Sequence, residues 1–139
     1  LRTSFKTSKG MVEAIRGIDL HVNEGEILGI VGESGSGKSV TMKSVMGLLP
    51  SYAKIDSEGI IYKDTDLSKL SEKELQKYRG KEIAMIFQDP MSSLNPLIPV
   101  GKQVGEMILE HHPEKAKSEV KEEVLNLFAK VRIPEPEKR

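Results

Sequence analysis

Gly32, Gly37, Lys38 and Ser39 stand at the spacing G-x-x-x-x-G-K-[ST], and these types at these intervals suit one task, the holding of a chain of phosphates. A polyphosphate carries several negative charges and must be wrapped by backbone N–H groups. Glycines at 32, 35 and 37 let the backbone take positive φ and come close without a Cβ in the way. Lys38 adds a mobile point charge for β- and γ-phosphates, and Ser39 offers a hydroxyl to Mg²⁺. Glu33, Ser34, Ser36 and Val40 complete the candidate nucleotide-binding set. The alternative is a plain flexible connector between strand and helix. Chance, however, gives such a match in well under ~1% of chains this long.

Such a loop needs a strand before it and a helix after it. Residues 27–31 are an apolar run, the profile of a strand buried on both faces. A helix is expected from about Lys38 to Leu49, with Pro50 as its stop and its positive end aimed at the loop. Upstream, residues 1–9 read as a strand and turn ending at Gly10. Residues 11–22 read as a strand, or two with a bend at Gly17, because Ile18, Leu20 and Val22 alternate with Asp19 and His21. Asn23-Glu24-Gly25 is a tight turn. An antiparallel β layer, rather than a helix, therefore leads into the loop strand.

Downstream, residues 51–57 read as loop and 58–62 as a short strand. Ser71 and Glu74 form a capping box for a helix ending at Arg79-Gly80. Residues 81–87 make another apolar run, expected to be a buried strand with Gln88 at its end. The prolines and the Asn-Pro step in 89–96 predict an irregular loop. Val100, Val104, Met107 and Ile108 share one helix face; Val120, Val124, Leu127, Phe128 and Val131 share another, with Pro113 between.

Composition narrows the chemistry further. A chain of 139 residues, 37% hydrophobic and 30% charged, can fold around a core. Lys+Arg and Asp+Glu are both 21, so the basic surplus of a nucleic-acid surface is missing. The absence of Cys excludes disulfides, thiolate zinc sites and a Cys nucleophile within these residues. His111 and His112 are adjacent, point to different sides of a helix and make a poor metal pair. No apolar run approaches the ~18 residues of a membrane span, so work at a membrane would require other subunits to cross it. Position 1 is Leu, and 134–139 follow a complete helix; the sequence is expected to be part of a longer one.

Together the loop at 32–39, the β layer before it and Ile86-Phe87-Gln88-Asp89-Pro90 after a capped helix resemble the ATPase subunit of an ABC transporter. Met91-Ser92-Ser93-Leu94-Asn95-Pro96 extends the resemblance to the ATPases of oligopeptide and dipeptide importers. The resemblance implies an α/β fold: a P-loop ATPase core with an N-terminal antiparallel β layer and the start of a helical subdomain. Its implied parts are residues 1–87 for the β layer and core, 88–99 for the Gln loop and 100–139 for the first helices. It implies ATP and Mg²⁺ as cofactors, Lys38 and Gln88 in catalysis, and Ser39 and Gln88 at the metal. Phe5 falls where the family stacks an aromatic on adenine.

The implied partners are a second ATPase subunit, identical or not, and permease subunits facing residues 88–110. An extracytoplasmic solute-binding protein acts indirectly, and the expected place is the cytoplasmic face of the membrane. The family's signature sequence, Walker B Asp, catalytic Glu and switch His do not occur in these residues. The 139 residues alone are therefore expected to bind nucleotide weakly and not to turn it over. Two rival readings are a soluble ABC-type ATPase acting on DNA or ribosomes and a small-molecule kinase. Nickel or another small solute is an alternative cargo.

Overall fold

The computed structural model describes residues 1–89 and 93–138, and the chain forms two compact units, Leu1–Arg79 and Gly80–Arg139. In the first unit, β1 (Arg2–Thr7) pairs antiparallel with β2 (Gly10–Arg16) on one side and β3 (Ala53–Asp56) on the other. Thr7 closes the β1–β2 turn, its hydroxyl donating to Gly10 O at 2.7 Å and accepting from the Lys9 N–H at 3.2 Å. The register skips once: Thr3 faces Ile15, but Ser4 faces Glu13. Ala14 is thus the extra residue of a β-bulge. The bulge puts the Thr3–Ile15 and Phe5–Val12 pairs on the same face of the sheet.

That face carries α1 (Lys38–Val45). Thr3 Oγ1 lies 2.9 Å from Ser44 Oγ, and both residues are buried. Ser44 spends its own hydrogen on Val40 O at 2.8 Å, so Thr3 is the donor to Ser44. Helix α1 stops before the predicted Leu49. Met46 is its C-cap and Gly47 takes φ 62°. The cause is local: with Gly47 in this conformation, Leu48 N–H donates to Lys43 O at 2.8 Å and Gly47 N–H to Ser44 O at 3.1 Å, and Arg79 braces the cap, its Nε and Nη2 donating to Met46 O and Gly47 O at 2.8 and 2.9 Å. A cation thereby satisfies the negative end of the helix. Glu72 braces this guanidinium, and the hydrogen bond from Arg79 holds its carboxyl below the ordinary range.

A small hairpin, β4 (Ile61–Tyr62) and β5 (Thr65–Asp66), leads into a 3-10 turn at Leu67–Lys69. Then comes α2 (Glu72–Leu75), where the Glu74 carboxylate reaches back to the Ser71 N–H at 2.8 Å, as the capping box predicts. Asp66 organises the turn. Its carboxylate accepts from the Ser68 hydroxyl at 2.6 Å and from the Ile60 N–H at 3.0 Å, and Lys69 lies 3.0 Å away. These groups, Ser68 first, hold the Asp66 carboxyl well below the usual carboxylate range. The folded pKa lies below the unfolded one, so Asp66 contributes stability above the unfolded value of about 4 and loses it as pH falls toward the folded value. In urea titrations between pH 7 and pH 3, Asp66→Asn is expected to be less stable than wild type at neutral pH, with the gap closing on acidification. A gap independent of pH would contradict this.

The second unit is a helical hairpin of α3 (Val100–His111) and α4 (Lys117–Lys130). Ile108, Val120, Val124 and Phe128 are buried at its centre, with Val100, Val104 and Ile133 packed around them. Helical periodicity marks all of these except Ile133, but Met107, Leu127 and Val131, marked with them, stand exposed. Gly105 sets the helix spacing, since an added Cβ would stand 3.3 Å from Val120 Cγ1. A 3-10 turn at Pro136–Lys138 follows.

Other predicted elements differ as well, and α2 stops at Leu75 instead of running to Arg79-Gly80. Residues 51–57 are not all loop, because β3 completes the sheet there. The strand expected to run on to Val22 stops at Arg16, Gly17 turns the chain at φ 116°, and residues 18–22 form no strand. The two runs expected as buried strands, 27–31 and 81–87, form no strand. Ile27 and Val31 are each 97% exposed, and Ile86 is 95% exposed. A strand exists only with a partner to hydrogen-bond, and neither run carries more than an isolated bridge, at Ile83, whose carbonyl accepts from Gly80 N–H at 2.9 Å. Among the described residues no helix is long and apolar enough to cross a membrane.

Candidate functional site

The loop at 32–37 is shaped by one turn and two left-handed glycines. Ser36 N–H donates to Glu33 O at 3.2 Å, and Gly35 and Gly37 take φ 81° and 94°. Gly32 does not adopt positive φ, contrary to expectation. Its need is spatial: a Cβ there would meet Ser36 Oγ at 2.8 Å. Gly37 is constrained twice over. A Cβ at 37 would lie 2.5 Å from Ile15 Cδ1 and 3.2 Å from Ala14 O. The bulge in β2 is therefore the seat on which the loop rests. Sequence reading missed this role for Ala14 and Ile15, because a bulge leaves no mark in alternation.

Gly37 is also the N-cap of α1, and no side chain caps that end. The first intrahelical bond runs from Thr41 N to Gly37 O at 2.8 Å. The amides of the first turn, at 38 to 40, thus point out of the helix with no side-chain acceptor, under the positive end of the dipole. The first turn holds no acidic residue either. Such an end attracts an anion.

Lys38 supplies the cation, and its position is specific. Nζ donates to Gly32 O and Glu33 O, both at 2.7 Å, and reaches Ser36 Oγ at 3.3 Å. All three ammonium hydrogens are spent on the loop itself. The structure thus brings together Gly32, Glu33, Ser36, Gly37 and Lys38 of the predicted set. Ser34 and Ser39 stand exposed beside them, with Val40 half-buried. Amide cradle, mobile cation and Ser39 hydroxyl are a donor set that fits a magnesium-bound polyphosphate.

Upstream, the Glu26 carboxylate accepts from Asn23 N at 2.6 Å and Nδ2 at 2.9 Å, tying the turn that precedes residues 27–31. These bonds, the backbone one first, hold the Glu26 carboxyl below its ordinary range. Phe5 is half-buried on β1, its ring 6.1 Å from that of Tyr52 and tilted by 55°.

In the second unit, Gln88 stands exposed at a bend. Pro90, Met91 and Ser92 lie outside the described residues. Beyond them Gln103 of α3 staples the loop: its Nε2 donates to Asn95 O at 3.0 Å and Ile98 O at 2.7 Å, and its Oε1 accepts from Asn95 N at 2.9 Å. Leu97 is left 90% exposed on that loop. His112 Nδ1 meets Glu114 Oε1 at 3.2 Å, and among the described residues no group of three His, Asp or Glu is placed to hold a metal ion.

Comparison with known proteins bears on this loop directly. The family model described as ABC transporter matches residues 15–139. The chain is 49% identical over 140 residues to the dipeptide transport ATP-binding protein DppD of Bacillus subtilis, covering 100% of this chain and 42% of that protein. It is 51% identical over 140 residues to the oligopeptide transport ATP-binding protein OppD of the same organism, covering 100% of this chain and 39% of that one. It is 43% identical over 136 residues to the oligopeptide transport ATP-binding protein AmiE of Streptococcus pneumoniae, covering 97% of this chain and 38% of the relative. The chain thus spans about two fifths of the length of the curated relatives it matches. With the family model matched from Ile15 onward, across the loop at 32–39 and both helices of the second unit, the chain belongs to the ABC transporter family.

Proposed function

We propose that the full-length protein is the ATP-binding and ATP-hydrolysing subunit of an importer for dipeptides or oligopeptides, working at the cytoplasmic face of the membrane. The single observation that supports this most is the cradle of Gly32 to Ser39, an uncapped helix end with a lysine folded over its own loop. The chain's similarity over its whole length to dipeptide and oligopeptide transport ATP-binding proteins supports the cargo class.

Magnesium-bound ATP would bring the scissile phosphoanhydride and the charge of the metal. The chain's own groups do the rest. Lys38 leaves Gly32 O and Glu33 O for the β- and γ-phosphates. The amides at 35 to 40 would hold the phosphate oxygens, and the Ser39 hydroxyl would hold Mg²⁺. Gln88 would serve at the metal, the role that the resemblance implies for it. Phe5 stacks on the base. A second ATPase subunit closes over the nucleotide, so that ATP favours the closed pair.

Residues 88–110, with Leu97 displayed on the loop stapled by Gln103, face the permease. A solute-binding protein outside the membrane delivers the peptide to that permease. The bare runs 27–31 and 81–87 become strands when paired with the portion of the relatives' length that this chain does not span. The 139 residues alone bind nucleotide weakly and do not turn it over.

The test is purification of the full-length protein from membranes, followed by ATP-driven uptake of a labelled peptide by vesicles carrying it. Co-purification with an integral membrane permease and uptake that requires ATP support the reading. Co-purification with nucleic acid and no permease would overturn it in favour of a soluble ATPase. Uptake of a nickel complex but not of peptide would overturn the cargo.

A further inference from the structure

Among the described residues the buried polar side chains are Thr3, Thr41 and Ser44, and all of them lie on one hydrogen-bonded path. The Thr3 hydroxyl donates to Ser44 Oγ at 2.9 Å, and Ser44 Oγ donates to Val40 O at 2.8 Å. Val40 O and the Thr41 N–H belong to one peptide unit, and that N–H donates to Gly37 O at 2.8 Å. The Thr41 hydroxyl adds a second donor to Gly37 O at 3.1 Å. Gly37 O in turn shares its peptide unit with the Lys38 N–H. The path therefore starts in the β layer and ends on the first amide of α1, in the cradle.

Hydrogen bonds in such a row polarise one another. A donor to a peptide oxygen makes the N–H of the same unit a stronger donor, by roughly 10–30% per bond, and low local dielectric adds to the effect. The path also fixes geometry. Thr3 stands opposite Ile15, the residue under Gly37. Ser44 lies seven residues beyond Gly37, about two helical turns, on the same side of α1. One cross-strand pair thus holds α1 at two points, Ile15 beneath the loop and Thr3 near the far end. Valine at position 3 would fill the same space, so packing does not require the hydroxyl.

We propose that Thr3 and Ser44 are positioning residues for the phosphate cradle: their hydroxyls orient and polarise the Lys38 amide through the backbone of α1. This rests on the reading of residues 32–39 as a phosphate cradle, and the experiment separates the two. Affinities of the full-length protein for Mg·ATP and for inorganic tripolyphosphate are measured by calorimetry in wild type, Thr3→Val, Thr3→Ser, Ser44→Ala and Lys38→Ala. The urea midpoint and the amide NMR signal of residue 38 are recorded for each. Thr3→Val is expected to weaken both ligands by the same factor, about three- to tenfold, because the path ends on phosphate and not on the base. It is also expected to move the amide signal of residue 38 before nucleotide is added. Thr3→Ser, which keeps the hydroxyl, is expected to stay within about twofold of wild type. Ser44→Ala cuts the path nearer the cradle and is expected to weaken binding at least as much as Thr3→Val; it carries the test should Thr3→Val not fold. A lower urea midpoint with both affinities unchanged, or equal losses in Thr3→Val and Thr3→Ser, overturns the role of the hydroxyls. Tripolyphosphate binding unaffected by Lys38→Ala overturns the cradle instead.

Discussion

Lys38→Ala in the full-length protein is expected to weaken Mg·ATP binding roughly 30-fold or more and to abolish steady phosphate release. Nζ makes three contacts, to Gly32 O, Glu33 O and Ser36 Oγ. There the ammonium neutralises inward-facing carbonyls. With nucleotide present it exchanges them for phosphate oxygens, which are stronger acceptors because they carry full charge. Truncating one partner of a hydrogen-bonded charge pair costs roughly 2–5 kcal/mol, and about 1.4 kcal/mol is tenfold in affinity. The variant loses a further property, the latch itself. Its nucleotide-free loop is expected to exchange amide hydrogens faster at residues 33 to 37 than wild type does. Calorimetry and hydrogen exchange read the two effects separately. Wild-type affinity in Lys38→Ala would remove the cation from the account.

Gly37→Ala is expected to have the next largest effect, and for a different reason. Residue 37 sits at φ 94°, and a Cβ there would press on Ile15 Cδ1 at 2.5 Å and on Ala14 O at 3.2 Å. The left-handed backbone alone costs roughly 1–2 kcal/mol for a residue with a Cβ, and overpacking roughly 1–3 kcal/mol more. The loop must lift off β2, carrying the N-terminus of α1 with it. A lower urea midpoint together with lost ATP binding is the expected result. Ile15→Val removes the clashing methyl, so the double variant Gly37→Ala/Ile15→Val should recover part of the stability but not the backbone share. Full stability in Gly37→Ala alone would mean that the loop does not rest on the bulge.

What could be read from the residues was whatever local chemistry dictates. The cradle spacing, the Ser71–Glu74 cap, the turn at Asn23 and the periodic faces of α3 and α4 each depend on neighbours within a few positions. What could not be read depends on distant partners. Arg79, which braces the end of α1 from 32 residues beyond Gly47, is one such partner; the left-handed cap at Gly47 itself is a local signal that a stop placed at Pro50 passes over. β3 looked like loop because its polar residues pair with β1 through backbone alone, and with β3 misread the approach of Tyr52 to Phe5 was hidden. The runs at 27–31 and 81–87 carry the apolar pattern of buried strands, yet burial is a property of the pair and not of the segment. Gly105 gave no sign that it sets a helix spacing, because only the facing Val120 reveals it.

The central claim is that the amides from Gly35 to Val40 receive the phosphates of a nucleotide. Backbone amide NMR of the ¹⁵N-labelled full-length protein, titrated with Mg·ATP, tests it residue by residue. The account predicts the largest shifts at Gly35, Ser36, Gly37, Lys38, Ser39 and Val40, with inorganic tripolyphosphate moving the same signals. Saturation of the protein with nucleotide while those six amides stay in place would contradict it.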